Sequence, residues 1–259
     1  VIHTPADAQM IATQMFRLQD VDAAALQEFM QSGRISEVIR EGLARGVLKG
    51  KILCFAPIPG TDDFSVNATR AVCDLSDEAS VQAARRDCEE QITRLIPFLQ
   101  THIPALKKAR LASLAPVFGI RDTSSIRGRY LLTLADLESA RNFEDTVAWG
   151  CYPMDMHDPV THNVVWKVID GMYQIPFASL LPRNLSRTIA AGKCISAERK
   201  AFAAFRVMPI VMNMGESAGV AAAMAKQEGK LFPELSGSSL KQRLEKRYPR
   251  LTSLMQTVQ

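Results

Sequence analysis

The sequence predicts an α/β or α+β fold built around a mixed sheet. Two long stretches, 74–99 and 206–227, place apolar residues at helical spacing, and short β-like runs bounded by glycine and proline recur between them. Of 259 residues, 47% are hydrophobic and 22% charged, a balance that fits a folded chain and excludes wholesale disorder. The net charge of +4 is small and evenly spread, so nothing points to nucleic acid, and the apolar runs are too short for a membrane span.

Along the chain, 22–44 reads as two short helices broken near Gly33, with Leu26, Phe29, Ile35, Val38, Ile39 and Leu43 as their apolar positions. Residues 51–55 and 64–72 are strand candidates separated by the turn-forming APIPGTDD. A helix over 74–99 starts at SDEAS, where a capping side chain and early acidic residues suit the positive helix end. It should stop near Ile103-Pro104. Residues 111–119 and 125–133 are further strand candidates, followed by a short helix at 134–142 behind Thr133. Strand candidates at 164–168, 172–175 and 188–191 come next, the last running into a tight turn at Gly192. The 206–227 helix tolerates Pro209 in its first turn, where the missing N–H costs little. A final helix is expected at 240–248. Residues 1–18 carry no readable pattern.

The five cysteines, at 54, 73, 88, 151 and 194, have neither the parity nor the spacing of a disulfide framework, and no C-x-x-C is present. This favours a reducing, cytoplasmic setting. The first residues lack a basic segment followed by an apolar stretch, so no secretion signal is visible, and the initial Val suggests a processed chain or a fragment. The four histidines have no zinc spacing; Asp155, His157 and Asp158 fit an Asx-stabilised turn better than an ion, and no metal is expected. No G-x-S-x-G, H-E-x-x-H or phosphate-loop motif occurs.

Two clusters stand out. Arg121, Asp122, Arg127 and Arg129 surround a predicted strand–turn–strand unit, and the two-residue spacing puts Arg127 and Arg129 on one strand face. Such guanidiniums serve either internal ion pairs or an anionic substrate. The second runs from Gly192 to Gly219. There a strand, a glycine turn and a helix with small residues read either as a site for an anionic heterocycle at the helix N-terminus or as close helix packing through Gly215 and Gly219.

Six blocks then occur in order: PGTDDFSVNATR at 59–70, GIRDTSSIRGRYLLTLAD at 119–136, YPMDMHDP at 152–159, YQIPFASLLP at 173–182, AAGKCIS at 190–196 and RVMPIVMNMGESAGVAAAMA at 206–225. Together they resemble the FAD-dependent oxidoreductase family. The resemblance implies a substrate domain over 1–186, a segment at 187–228 returning to an FAD-binding Rossmann-like domain, and a C-terminal helix and tail at 229–259. It implies cofactor-binding roles for Gly192, Lys193, Arg206, Val207, Met208, Gly215, Ser217 and Gly219. Arg121, Arg129 and His157 would serve the substrate, the arginines by orienting an anion and the histidine by proton transfer. Hydride would pass between a small polar or anionic substrate and the flavin.

The sequence departs from the family pattern in several places. Gly192-Lys193 stands where Gly-Arg is usual, and Lys193 keeps the positive charge but cannot form a bidentate fork. Arg199 replaces a usual histidine, Phe205 precedes Arg206, and Glu216-Ser217 replaces Gln-Ala. No strand–G-x-G-x-x-G–helix unit with its following acidic residue occurs anywhere in the chain. The expectation is therefore a fragment whose N-terminal dinucleotide-binding segment is missing, holding FAD weakly or not at all. The alternative is a non-catalytic interaction module that self-associates through the face left open, giving a homo-oligomer.

Overall fold

The computed structural model describes residues 2–4, 9–122 and 124–248. The chain forms two compact units, one from residues 5–122 and 157–164, the other from 1–4, 123–156 and 165–259.

The first unit holds a four-stranded sheet in the order β2 (Cys54–Pro57), β3 (Phe64–Asn67), β1 (Phe16–Gln19), β4 (Arg110–Leu114). Every neighbouring pair is antiparallel, with Phe16 opposite Val66 on one side and Leu114 on the other. Helices α1 (Ala23–Gln31), α2 (Ile35–Ala44) and α3 (Glu78–His102) cover it. Each of α1 and α3 begins at an aspartate whose side chain accepts a first-turn N–H: Asp22 from Ala25 and Asp77 from Ala79, both at 3.0 Å. The apolar face of α3, with Ile92, Leu95, Phe98 and Leu99, joins Leu26, Phe29, Phe16 and Val66 in one core. As the proline predicts, α3 ends at Ile103.

The second unit is built on the antiparallel pair β5 (Thr146–Gly150) and β8 (Tyr173–Pro176), both buried along their whole length. A hairpin of β6 (Met154–His157) and β7 (Val164–Lys167) leads between them, its tip grouping with the other unit. Helices α4 (Leu134–Glu138), α5 (Arg199–Phe205), α6 (Met208–Glu228) and α7 (Gly237–Arg247) complete the unit. α6 lies on β5: the Ser217 hydroxyl donates to the Val147 carbonyl, and the Trp149 N–H donates to Asn213 Oδ1 at 3.2 Å. Gly150 permits this approach, because a Cβ there would sit 2.5 Å from the Tyr173 ring and 2.6 Å from Ile210. α6 ends at Gly229, whose φ of 63° is the left-handed conformation that closes a helix.

Three expectations require correction. The paired strands are antiparallel and not a mixed sheet, and among the described residues no parallel Rossmann-like ladder exists; the only parallel pairing is an isolated bridge between Leu132 and Ala197. Residues 188–191 form no strand, because their backbone finds no neighbouring ladder; Ala190 N–H donates to the Leu180 carbonyl at 2.9 Å and the chain turns at Gly192, φ 107°. The incomplete Rossmann-like reading of this segment is thereby overturned. Residues 125–133 also form no strand. Their N–H groups go to separate loop segments instead, Ile126 to Cys194 at 2.9 Å, Arg129 to Leu181 at 2.9 Å and Leu132 to Ser196 at 3.1 Å. Gly128 is held so tightly that a Cβ would meet Ser196 Cβ at 2.5 Å.

α4 carries a polar anchor. Burial pushes the Asp136 carboxyl up, but hydrogen bonds from the Thr133 N–H, the Tyr130 hydroxyl, the Thr133 hydroxyl and Arg141 outweigh it and hold the carboxyl below its usual range. The sign follows: this carboxylate stabilises the fold above the unfolded value of ~3.9, and that contribution disappears as pH falls through the lower folded value. Asp136→Ala is expected to cost about 1–3 kcal/mol near neutral pH, measured by urea unfolding. The difference from the parent protein should shrink in acid.

Candidate functional site

α6 has two unlike faces. Ile210, Met214, Ser217, Ala221 and Met224 are buried against the unit. Met208, Met212, Gly215, Gly219, Ala222 and Ala223, on the opposite side at helical spacing, are exposed. Met208 is 76% and Met212 71% exposed, and a Cβ at Gly215 or Gly219 would meet nothing within 4 Å. An exposed strip this apolar is unusual on a water-facing helix.

Beside the N-terminal half of α6 lies a cleft of about 1060 Å³. One wall is the end of β5 and the residues after it, Trp149 to Pro153; another is Val207, Pro209, Ile210, Met212, Asn213 and Glu216; Arg247 and Tyr248 close a third side. The lining is overwhelmingly apolar and aromatic. Val207 caps α6 without a side-chain hydrogen bond, and Pro209 follows at the start, so the positive helix end bears on the cleft with no capping oxygen in front of it. Trp149 is 7% exposed, and its indole N–H has no acceptor among the described residues.

Around this cleft the polar groups are largely committed. Arg206 Nη2 donates to the Asp155 carbonyl at 2.9 Å and to its carboxylate at 3.1 Å. Burial, then the Asp155 charge, push the Tyr152 hydroxyl up. Burial, above all, does the same to Tyr173, whose hydroxyl donates to the carbonyls of Tyr152 at 3.2 Å and Ala204 at 3.1 Å. At the third wall, Glu216 accepts from the Tyr248 hydroxyl at 2.5 Å and pairs with Arg247 at 3.2 Å, and that hydrogen bond pushes the Tyr248 hydroxyl up.

The residues singled out in the sequence fall as follows. Val207 lines the cleft, with Met208 exposed next to it; Gly215 and Gly219 lie on the open strip. Ser217 faces inward onto β5. Gly192 and Lys193 are half-buried in a turn. Arg129 is exposed in the same unit. Arg121 and buried His157 belong to the other unit, where Arg121 donates to the Ile11 carbonyl at 2.6 Å and the Thr13 hydroxyl at 3.0 Å. Sequence reasoning missed Trp149, Tyr152, Met212, Asn213, Arg247 and Tyr248. Only the pairing of aromatic residues with glycine at 149–152 hinted at a wall. Among the described residues, no three His, Cys, Asp or Glu side chains gather as a metal site. No single described helix is long and apolar enough to cross a membrane; α5 and α6 together pass only as a pair bent by 94°.

An apolar, aromatic-lined cleft at a helix N-terminus suits a planar heterocycle. In keeping with that class of site, a family model described as FAD dependent oxidoreductase matches residues 3–244. The chain belongs to the FAD-dependent oxidoreductase family. Searches of curated proteins and of solved structures each gave no match.

The residues present can be tested against that cofactor. The cleft suits the ring end of a flavin in that it is apolar and lies at the α6 N-terminus. For the pyrophosphate and ribose, the described residues offer no strand–glycine turn–helix unit.

Proposed function

We propose that the cleft beside the N-terminal half of α6 receives the ring system of FAD in an oxidoreductase acting on a small polar or anionic substrate. The observation that carries this is the apolar, aromatic-lined cleft beside a helix start that bears no side-chain cap. When bound, the flavin supplies the redox chemistry by exchanging hydride with the substrate. The chain's part is positional. The first turn of α6, at Val207 and Met208, would favour negative charge on the ring edge, and the apolar walls, Trp149 among them, would exclude water. Gly215 and Gly219 would admit the close approach of a further segment that completes the dinucleotide site, and residues 1–186 would serve the substrate. In this reading Gly192, Lys193 and Arg206 support the cofactor side. Arg129, in the same unit as the cleft, orients the substrate anion; turnover and affinity unchanged by Arg129→Ala in a complete enzyme would remove that role.

The test is titration of riboflavin with the purified protein, read as loss of flavin fluorescence. Saturable quenching is expected, and FAD should bind within about threefold of riboflavin, because the described residues hold nothing for its phosphates. Absence of saturable quenching refutes the ring site. FAD binding far tighter than riboflavin would refute the division of labour.

The exposed strip on α6 favours a second reading, in which two copies cover it in a non-catalytic assembly. Light scattering over a concentration series distinguishes the two: a dimer that Met212→Glu dissociates supports assembly, and a monomer throughout excludes it.

A further inference from the structure

Among the described residues, two charged side chains line the cleft, Glu216 and Arg247, and they are paired with each other at 3.2 Å. Glu216 sits on α6 in the body of the unit, whereas Arg247 ends α7 and Tyr248 follows it. Tyr248 adds a second bond to the same carboxylate at 2.5 Å and presents its ring, 40% exposed, to the cleft. At the third wall this carboxylate with its two partners joins Arg247 and Tyr248 to α6, while farther along Arg243 of α7 donates to Gln227 Oε1 of α6 at 3.1 Å. Glu216 stands where the family resemblance places glutamine, and its charge both grips an arginine and accepts from a phenol, which glutamine would do less well.

We propose that Glu216, Arg247 and Tyr248 form a latch that sets the width of the cleft, with Tyr248 as the residue that selects a planar aromatic occupant by packing against it. This rests on the flavin-ring reading of the same cleft. Arg247 is mostly exposed, so its part of the latch is weakened by screening. The cleft should accordingly loosen as salt rises. Glu216 without its partners would leave an uncompensated charge against the occupant.

The experiment measures riboflavin affinity of the full chain at low and high salt for the parent protein, Tyr248→Ala, Arg247→Ala, Glu216→Gln and the Arg247→Ala/Glu216→Gln pair. The expected result is about a tenfold loss for Tyr248→Ala and a loss of roughly threefold for Arg247→Ala. The pair should be no worse than Arg247→Ala alone, and salt sensitivity should be present in the parent but absent from the pair. A merely structural ion pair would leave the riboflavin affinity of the parent insensitive to salt. If the parent binds and all variants bind equally, the latch is refuted and the ring site stands. If the parent does not bind riboflavin, the ring site is refuted. The latch is then judged without ligand, by acrylamide quenching of Trp149 emission in a Trp166→Phe background. Quenching that rises with salt and with Tyr248→Ala sustains the latch; quenching unmoved by either overturns it.

Discussion

Tyr173→Ala is expected to be the most damaging single truncation in the second unit, costing about 3–5 kcal/mol. The Tyr173 side chain is fully buried, its ring lies where a Cβ on Gly150 would be, and its hydroxyl ties β8 to the carbonyls of Tyr152 and Ala204. Truncation removes the packing, opens a cavity beneath the cleft and strands two acceptors at once. Tyr173→Phe keeps the ring and should cost only about 1–2 kcal/mol, the share of the hydrogen bonds. Urea unfolding of the pair separates ring from hydroxyl. Equal midpoints for Tyr173→Ala and the parent would show that β8 does not support the cleft.

Met212→Glu is expected to weaken riboflavin binding at least tenfold, about 1.4 kcal/mol, while leaving unfolding within about 0.5 kcal/mol of the parent. Met212 lines the cleft yet is 71% exposed, so the substitution can be tolerated by the fold. Its cost arises on binding, when a ring laid over the new carboxylate would strip its water without supplying a donor. A decrease in binding accompanied by equal loss of stability would instead mark Met212 as part of the core.

These two positions also show what could be read from the sequence and what could not. The periodic helices were readable because each buries one face: α3 through Ile92, Leu95 and Leu99, and α6 through Ile210, Met214 and Ala221. The aspartate starts and the proline stop followed from local chemistry. Residues 16–19 were not readable, because four residues in mid-sheet draw their stability from Val66 and Leu114, which lie far away in sequence. The apparent strands at 125–133 and 188–191 failed for a related reason: alternation describes a chain with ladder neighbours, and these segments bond piecemeal to loops. The parallel Rossmann-like ladder expected from the resemblance required such neighbours too, and β5 finds an antiparallel one in β8.

The candidate site divides along the same line. Val207, Met208, Gly215 and Gly219 lie close together in one motif, so a single helix carries them to the cleft and its open strip. Trp149 and Tyr152 reach the cleft from the end of β5 and Tyr248 from behind α7, and no spacing could announce their meeting with α6. Ser217 looked like part of the motif's working face, but at 3.6 residues per turn it points the opposite way from Gly215 and Gly219, into β5.

The most direct measurement is photolabelling of the protein with an azido-flavin, followed by peptide mapping of the attachment points. The flavin-ring site predicts label on Trp149 to Pro153 and on Met208 or Met212, suppressed by excess riboflavin. Label confined to residues 9–122, or label on these peptides that riboflavin does not displace, would contradict it.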